Sequence, residues 1–386
     1  MNYVITGENH TSRLLQGLEG HFGIRLLSEE ELRESDIFFA EEDKLYVSSE
    51  SAFDLVMERM VPGAKRSSSH PPPRLRAIEQ LRDKYACRAM MRPLFPDFEF
   101  STSKLSALHE GLFSPGRKYV IKPVKGLFAI GVRTLEEPGD IHRIQEEIGR
   151  ELAYNRRFFS ERVLSGENMI VEEFIEGDEY AVDMFYSNTG RPIITAITRH
   201  PTPKRSEYHH VLYYTNREIF QRLHDRFESF FARLNQIMGV HSLPIHAEFK
   251  VPEGGEPIPV EFNPLRYGGF GLTDLSYYAH GQCPYFSFFQ DEPYDWDGIW
   301  ADSRHTNKHY AWVLAYKGAG IDTEQVRIKD VHERFRQFIG EKALIEYQGL
   351  DYRENPVFAI AYLAEEREER LMRWLEVEFA EFFREE

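Results

Sequence analysis

The stretch from Pro244 to Gly271, PIHAEFKVPEGGEPIPVEFNPLRYGGFG, constrains the fold of this chain more than any other. Two runs alternate with period two, Ile245/Ala247/Phe249/Val251 and Ile258/Val260/Phe262, and each reads as a strand with one buried face. Glu253-Gly254-Gly255-Glu256 between them is a turn signal, so the runs form a hairpin. A two-residue Gly254-Gly255 loop pairs Glu253 with Glu256, and the ladder then sets Glu248 opposite Glu261 and His246 opposite Asn263. All four lie on the face that the apolar residues leave. Like charges directly opposite destabilise a sheet. A divalent cation between the two carboxylates reverses that sign, and Asn263 adds a third oxygen of the kind hard Mg²⁺ prefers. Pro252, Pro257 and Pro259 donate nothing to the ladder, so the register rests on the turn. A solvated hairpin with two chance glutamates is the competing reading. Against it stands the sequel, Asn263-Pro264-Leu265-Arg266-Tyr267-Gly268-Gly269, an arginine and two glycines where a phosphate or carboxylate can approach closely.

At 386 residues the chain is too long for one simple core and calls for two or three subdomains. A formal charge of −16 argues against a nucleic-acid surface, which needs a basic footprint. It leaves room for a nucleotide, because a bound cation and a few local lysines can dominate one cleft. Cys87 and Cys283 are far apart, with no CxxC spacing and no disulfide framework. The first ten residues lack the basic and apolar regions of a signal peptide. No apolar run approaches the roughly 20 residues of a membrane span. The expectation is a cytoplasmic protein without a membrane partner.

Asn2–Thr6 reads as a short buried strand, and 24–27, 37–40 and 45–47 as further strands of a small α/β domain. No GxGxxG follows the first strand. Residues 65–73, KRSSSHPPP, are a linker. Asp83 is an N-cap for a helix from Lys84 to Met91. A lysine in the first turn opposes the helix dipole, which suits an anion site as well as a solvated surface. Residues 118–123 form a strand ending in Ile121-Lys122-Pro123, followed by a loop bounded by Gly126 and Gly131. Such a loop can fold over phosphates, or close an ordinary hairpin. Helical spacing fills 140–163. Residues 169–186 read as strand, bend at Gly177, strand, and 192–198 as the returning strand. The polar, histidine-rich segment 199–212 is a candidate mobile loop, with Arg199, His209 and His210 unplaced. Phe227, Phe230, Phe231, Leu234, Ile237 and Met238 are the core stripe of a helix ending at Gly239. The tail reads as strand, helix, two strands and a final helix striped by Leu371, Trp374, Leu375, Phe379 and Phe382.

Taken together, residues 83–271 resemble the ATP-grasp superfamily. Lys84 and Lys122 match that family's two phosphate-contacting lysines, and Gly126 and Gly131 its covering glycine loop. Glu172-Glu173-Phe174-Ile175 looks like the hinge strand that reads adenine, with Glu172, Glu173 and Ile175 at the nucleotide. Glu179 matches the acid that holds the ribose. Glu248, Glu261 and Asn263 match the Mg²⁺ ligands, with Mn²⁺ an acceptable substitute. Arg266 resembles the arginine that steadies the transferred phosphoryl group, so Arg266 and Lys122 are the catalytic pair. Two departures stand out: Phe128 and Ala129 replace the usual serine and glycine of the loop, and Arg266 lies one residue further from Asn263 than is commonest.

The resemblance implies a multidomain α/β and α+β fold with the nucleotide between two α+β subdomains of the core. The expected divisions are an N-terminal α/β domain (1–64), a linking segment with a helix (65–104), a lid (105–177), a metal-binding subdomain (178–300) and a C-terminal α+β extension (301–386). The chemistry implied is ATP-dependent activation of a carboxylate as an acyl phosphate and its capture by an amine, both small molecules. Thiol ligation or phosphoryl transfer on the same scaffold, or a nucleotide-binding module without turnover, are the alternatives. His246 is either a base or a buried support for the ligands, and a homodimer is left open.

Overall fold

The computed structural model describes residues 1–7, 12–60, 72–126, 129–157, 164–202, 210–305, 307–318, 328–351, 353 and 356–384. Most of the 65–73 linker, loop residues Leu127 and Phe128, the end of the expected 140–163 helix, and 203–209 with His209 fall outside them.

Strands β1 (Asn2–Thr6), β2 (Ile24–Ser28) and β3 (Lys44–Val47) form a parallel sheet in the order β2-β1-β3. The expected strand at 37–40 is irregular. Its backbone groups are taken instead by Arg59, whose guanidinium donates to the carbonyls of Ser35 and Ile37 and whose carbonyl accepts from Phe39. With those partners satisfied, no ladder is needed.

Helices Pro73–Arg82 and Lys84–Met90 meet at Asp83, whose carboxylate caps the second by accepting from the Ala86 amide at 2.9 Å. A second sheet follows, built from β4 (Phe100–Lys104), β5 (Tyr119–Pro123), β6 (Arg133–Leu135) and β7 (Asn168–Glu173) in the order β4-β7-β5-β6, all antiparallel. Residues 100–104 therefore belong to this sheet and not to the linking segment. Helix Ile141–Asn155 lays Ile141, Ile144, Ile148 and Leu152 on this sheet, against Ile121 and Met169.

The largest sheet contains β8 (Asp178–Tyr186), β9 (Pro192–Arg199), β10 (Leu212–Thr215), β11 (Leu243–Val251), β12 (Ile258–Pro264), β13 (His309–Tyr316), β14 (Leu344–Gly349) and β15 (Val357–Glu365). Its order is β12-β11-β8-β9-β10-β13-β15-β14. Helix Arg217–Met238 buries Phe227 and Phe230 against Phe249 on one face. The tail expected as a separate extension from residue 301 is in fact the far part of this sheet, since β13 pairs with β10. The expected final helix is broken into Glu368–Met372 and two 3₁₀ turns, Arg373–Glu376 and Phe379–Phe383. Extended backbone at Val377 swings Phe379 and Phe383 onto Phe358, so packing overrides helical spacing there.

Candidate active site

The β11–β12 ladder pairs Glu248 with Glu261 and His246 with Asn263, the register expected from the turn. The loop that sets it is longer than two residues, because β11 ends at Val251 and β12 starts at Ile258. A bulge beside Glu248 compensates, so that Phe249 faces Pro259. On its other side β11 pairs with β8, which sets His246 opposite Asp183 and Lys250 opposite Glu179. One face thus carries Glu179, Asp183, His246, Glu248, Lys250, Glu261 and Asn263, while Ile245, Ala247 and Phe249 are fully buried on the other.

The charges on this face are balanced within the protein. His246 is buried, with Nδ1 2.7 Å from an Asp183 oxygen and Nε2 3.7 Å from a Glu248 oxygen. Burial opposes its protonation, but hydrogen bonding to the two carboxylates outweighs burial and pushes the imidazole up to about 9. Burial likewise opposes ionisation of Glu248, and His246 overcomes it and holds the carboxyl at about 2. The Gly268 amide also donates to Asp183, at 2.9 Å, fixing the loop after β12 to the same residue. Glu261 meets Lys84 Nζ at 3.3 Å. The expected glutamate–glutamate repulsion is therefore answered by a histidine and a lysine. Two ionisable carboxylates and an amide oxygen on adjoining strands are the donor set of a hard divalent cation, and they fit Mg²⁺.

The cations above this face come from two elements, helix Lys84–Met90 and β5. Lys84 Nζ also donates to the Gly126 carbonyl at 3.3 Å, joining a helix start, the glycine loop and Glu261. Lys122, on β5, lies 2.7 Å from a Glu172 oxygen, and Arg88 reaches the other oxygen at 2.5 Å. Burial works against the Glu172 charge, yet Lys122 and Arg88 hold its carboxyl at about 2. Burial draws the Lys122 ammonium down from its ordinary value while Glu172 pulls it back. The Glu172 side chain is thus committed to a lysine and an arginine, which leaves only its backbone for the adenine contact the resemblance implies. Lys122 also donates to the Val260 carbonyl at 3.4 Å, linking β5 to β12. Glu173 accepts from the Glu99 amide at 3.2 Å, and Ile175 is half-buried in the bend before Gly177. In the glycine loop Gly131 has φ +72° and Ala129 φ +55°, left-handed backbone that an alanine adopts at some cost.

Glu179 is held by His200 at 2.8 Å and Lys250 at 2.9 Å. Arg266 donates to the Asn263 side-chain oxygen at 2.9 Å and to Glu50 at 3.0 Å. Arg199 turns away from this cluster, to Asp178, Tyr214 and Glu368. His210 stacks on His200 with ring centroids 5.2 Å apart. Five participants were not singled out from sequence: Glu50, Arg88, Asp183, His200 and Lys250. Asp183 and Lys250 follow from the period-two alternation that already marked Glu179 and Glu248. His200 lies in the histidine-rich segment 199–212, and Glu50 and Arg88 carry no local signal.

Residues 116–274 match the ATP-grasp domain family. That segment is an ATP-grasp domain. The chain matches no curated protein sequence. Among solved structures, an L-amino acid ligase from Bacillus licheniformis superposes with a TM-score of 0.66 at 16% identity, over 97% of this chain and 96% of that one. N5-carboxyaminoimidazole ribonucleotide synthetase from Thermotoga maritima gives 0.61 at 12% identity, again over 97% and 96%. The biotin carboxylase domain of 2-oxoglutarate carboxylase from Hydrogenobacter thermophilus, solved with MgADP and bicarbonate, gives 0.57 at 13% over 94% and 86%. The likeness spans whole chains, so the N-terminal sheet and the tail belong with the ATP-grasp core in one fold. Lys84, outside the matched segment, still reaches the Glu261 carboxylate inside it.

Proposed function

We propose that this protein is an ATP-dependent carboxylate–amine ligase that releases ADP and phosphate. The observation that carries the reading is Lys84, whose ammonium lies 3.3 Å from both the Gly126 carbonyl and the Glu261 carboxylate. It brings a helix-start lysine, the glycine loop and one carboxylate of the expected pair to one point. Lys84 and Lys122 face the β- and γ-phosphates of ATP, and Glu179 takes the ribose hydroxyls. Glu248, Glu261 and Asn263 would hold Mg²⁺, which when bound neutralises charge on the phosphates.

A carboxylate is a poor acylating agent because its leaving group would be oxide. Its oxygen attacks the γ-phosphorus, the bond to the β-phosphate oxygen breaks, and ADP departs. Arg266 steadies the transferred group, and positioning with charge neutralisation supplies the catalysis. The amine then attacks the acyl carbon, phosphate leaves, and the nitrogen loses a proton to give the amide. The L-amino acid ligase among the structural relatives agrees with small amino-acid substrates.

The test is ADP release across amino acids and small carboxylates, alone and in pairs, with hydroxylamine then replacing the amine. An acyl hydroxamate accumulating in step with ADP is expected. ADP with a stable phosphorylated product would indicate a phosphotransferase instead, no nucleotide product a binding module, and AMP would overturn the acyl-phosphate route.

A further inference from the structure

The N-terminal sheet domain sends one carboxylate to Arg266. Glu50 opens helix Glu50–Arg59, after an N-cap at Ser49. Its carboxylate is largely enclosed, with one oxygen 3.0 Å from Arg266 and the other 2.8 Å from Arg82 of the Pro73–Arg82 helix. Burial opposes its ionisation, and Arg266 and Arg82 outweigh that and lower its carboxyl below the ordinary glutamate value. The same Arg266 nitrogen that meets Glu50 also donates to Asn263 at 2.9 Å. Arg266 follows Leu265, a non-glycine residue at φ +66°, so the backbone there is sharply bent. The Leu265 carbonyl accepts from the Val47 amide of β3, which ties that bend to the same domain. An arginine side chain has several rotatable bonds and gives up rotamer freedom when fixed. A carboxylate on one side and an amide oxygen on the other settle where it points.

We propose that Glu50 is a positioning residue that holds Arg266 in the orientation needed for phosphoryl transfer, so that the N-terminal domain completes the centre. The inference rests on Arg266 acting on the transferred phosphoryl, as in the proposed function. Glu50 touches no reacting atom itself and acts through Arg266. Arg82 occupies the other carboxylate oxygen and provides the control: its loss removes an ion pair of Glu50 but leaves Arg266 held.

The experiment measures the affinity of Mg²⁺–ADP by calorimetry with and without aluminium fluoride, a mimic of the phosphoryl in flight. The quantity read is the gain in affinity on adding fluoride. Glu50→Gln is expected to reduce that gain at least ten-fold while leaving Mg²⁺–ADP binding within about two-fold. Glu50→Asp should recover part of the gain, and Arg82→Leu should keep it whole. In an Arg266→Ala background Glu50→Gln should cost nothing further, since residues acting as a unit are not additive. A purely structural role would instead lower the gain equally in Glu50→Gln and Arg82→Leu, which would overturn the proposal. If Arg266→Ala loses the gain and Glu50→Gln keeps it, the positioning role falls and the reading of Arg266 stands. If Arg266→Ala keeps the gain, or the wild type shows none, the reading of Arg266 falls and this inference with it.

Discussion

At the scale of single residues, Glu172 shows most clearly what the site requires of its surroundings. It is 3% exposed and lies between two cations that are themselves nearly buried, Lys122 and Arg88. Without its charge, both would stand uncompensated in low dielectric. Glu172→Gln keeps the shape and is expected to cost about 3–5 kcal/mol of folding stability, read from the denaturant midpoint at constant slope. An unchanged midpoint would mean that the pair contributes nothing. Glu261→Gln makes the complementary case. That carboxylate is part-exposed and meets Lys84, so the fold should tolerate the change while Mg²⁺-dependent nucleotide turnover collapses. Retained Mg²⁺-dependent turnover would remove Glu261 from the metal set. The types and spacings of these residues were visible in the sequence, because period-two alternation fixes which side chains share a strand face. Their partners were not. Arg88 and Glu172 are 84 positions apart, and no local pattern reports a contact closed by the fold.

At the scale of elements, the β11–β12 hairpin was legible and its turn was not. The acidic pair faced each other as expected even though the loop is longer, because a bulge absorbed the difference. A bulge answers to sheet twist and neighbouring strands, which the hairpin's own sequence does not encode. The final helix failed for a related reason: its aromatic stripe suits helical spacing, but Phe335 and Phe358 offered better packing to a broken chain. Gly177 between β7 and β8 is the opposite case, a bend read correctly from one residue. Its φ is +117°, and a Cβ built there would lie 2.4 Å from the Val251 carbonyl oxygen. Gly177→Ala must therefore bear both backbone strain and a displaced β11 end, just where Lys250 meets Glu179. The expected loss is about 1–3 kcal/mol with weakened nucleotide binding. Measured stability and ATP affinity equal to those of the wild type would show that the bend tolerates a side chain.

At the scale of the whole molecule, the sequence did not show how its segments share one sheet. The tail that looked like an appendage supplies β13, β14 and β15 of the main sheet. It also reaches back to the N-terminus, where Arg13 meets Glu346 at 2.6 Å. Asp274 sits at this junction and is 1% exposed. It accepts from the Ser12 hydroxyl at 2.7 Å, the Arg13 amide at 3.1 Å and the Tyr285 hydroxyl at 3.4 Å. Burial raises its carboxyl to about 7, against those hydrogen bonds, which favour the ionised form. An unfolded aspartate titrates near about 3.9. Between those two values the folded protein binds more protons at this site than the unfolded chain does. The stability that this proton contributes is therefore complete below about pH 4 and is lost as the pH rises through about 7. Asp274→Asn removes the proton exchange, although its amide nitrogen cannot accept from the Arg13 N–H, so absolute stability falls at low pH. The difference in unfolding free energy between wild type and variant should shrink as the pH is raised from 5 to 7, by up to about 1.4 kcal/mol per unit. Denaturant titrations at fixed salt across that range read this directly, and a pH-independent difference would mean that Asp274 stays ionised in its buried site.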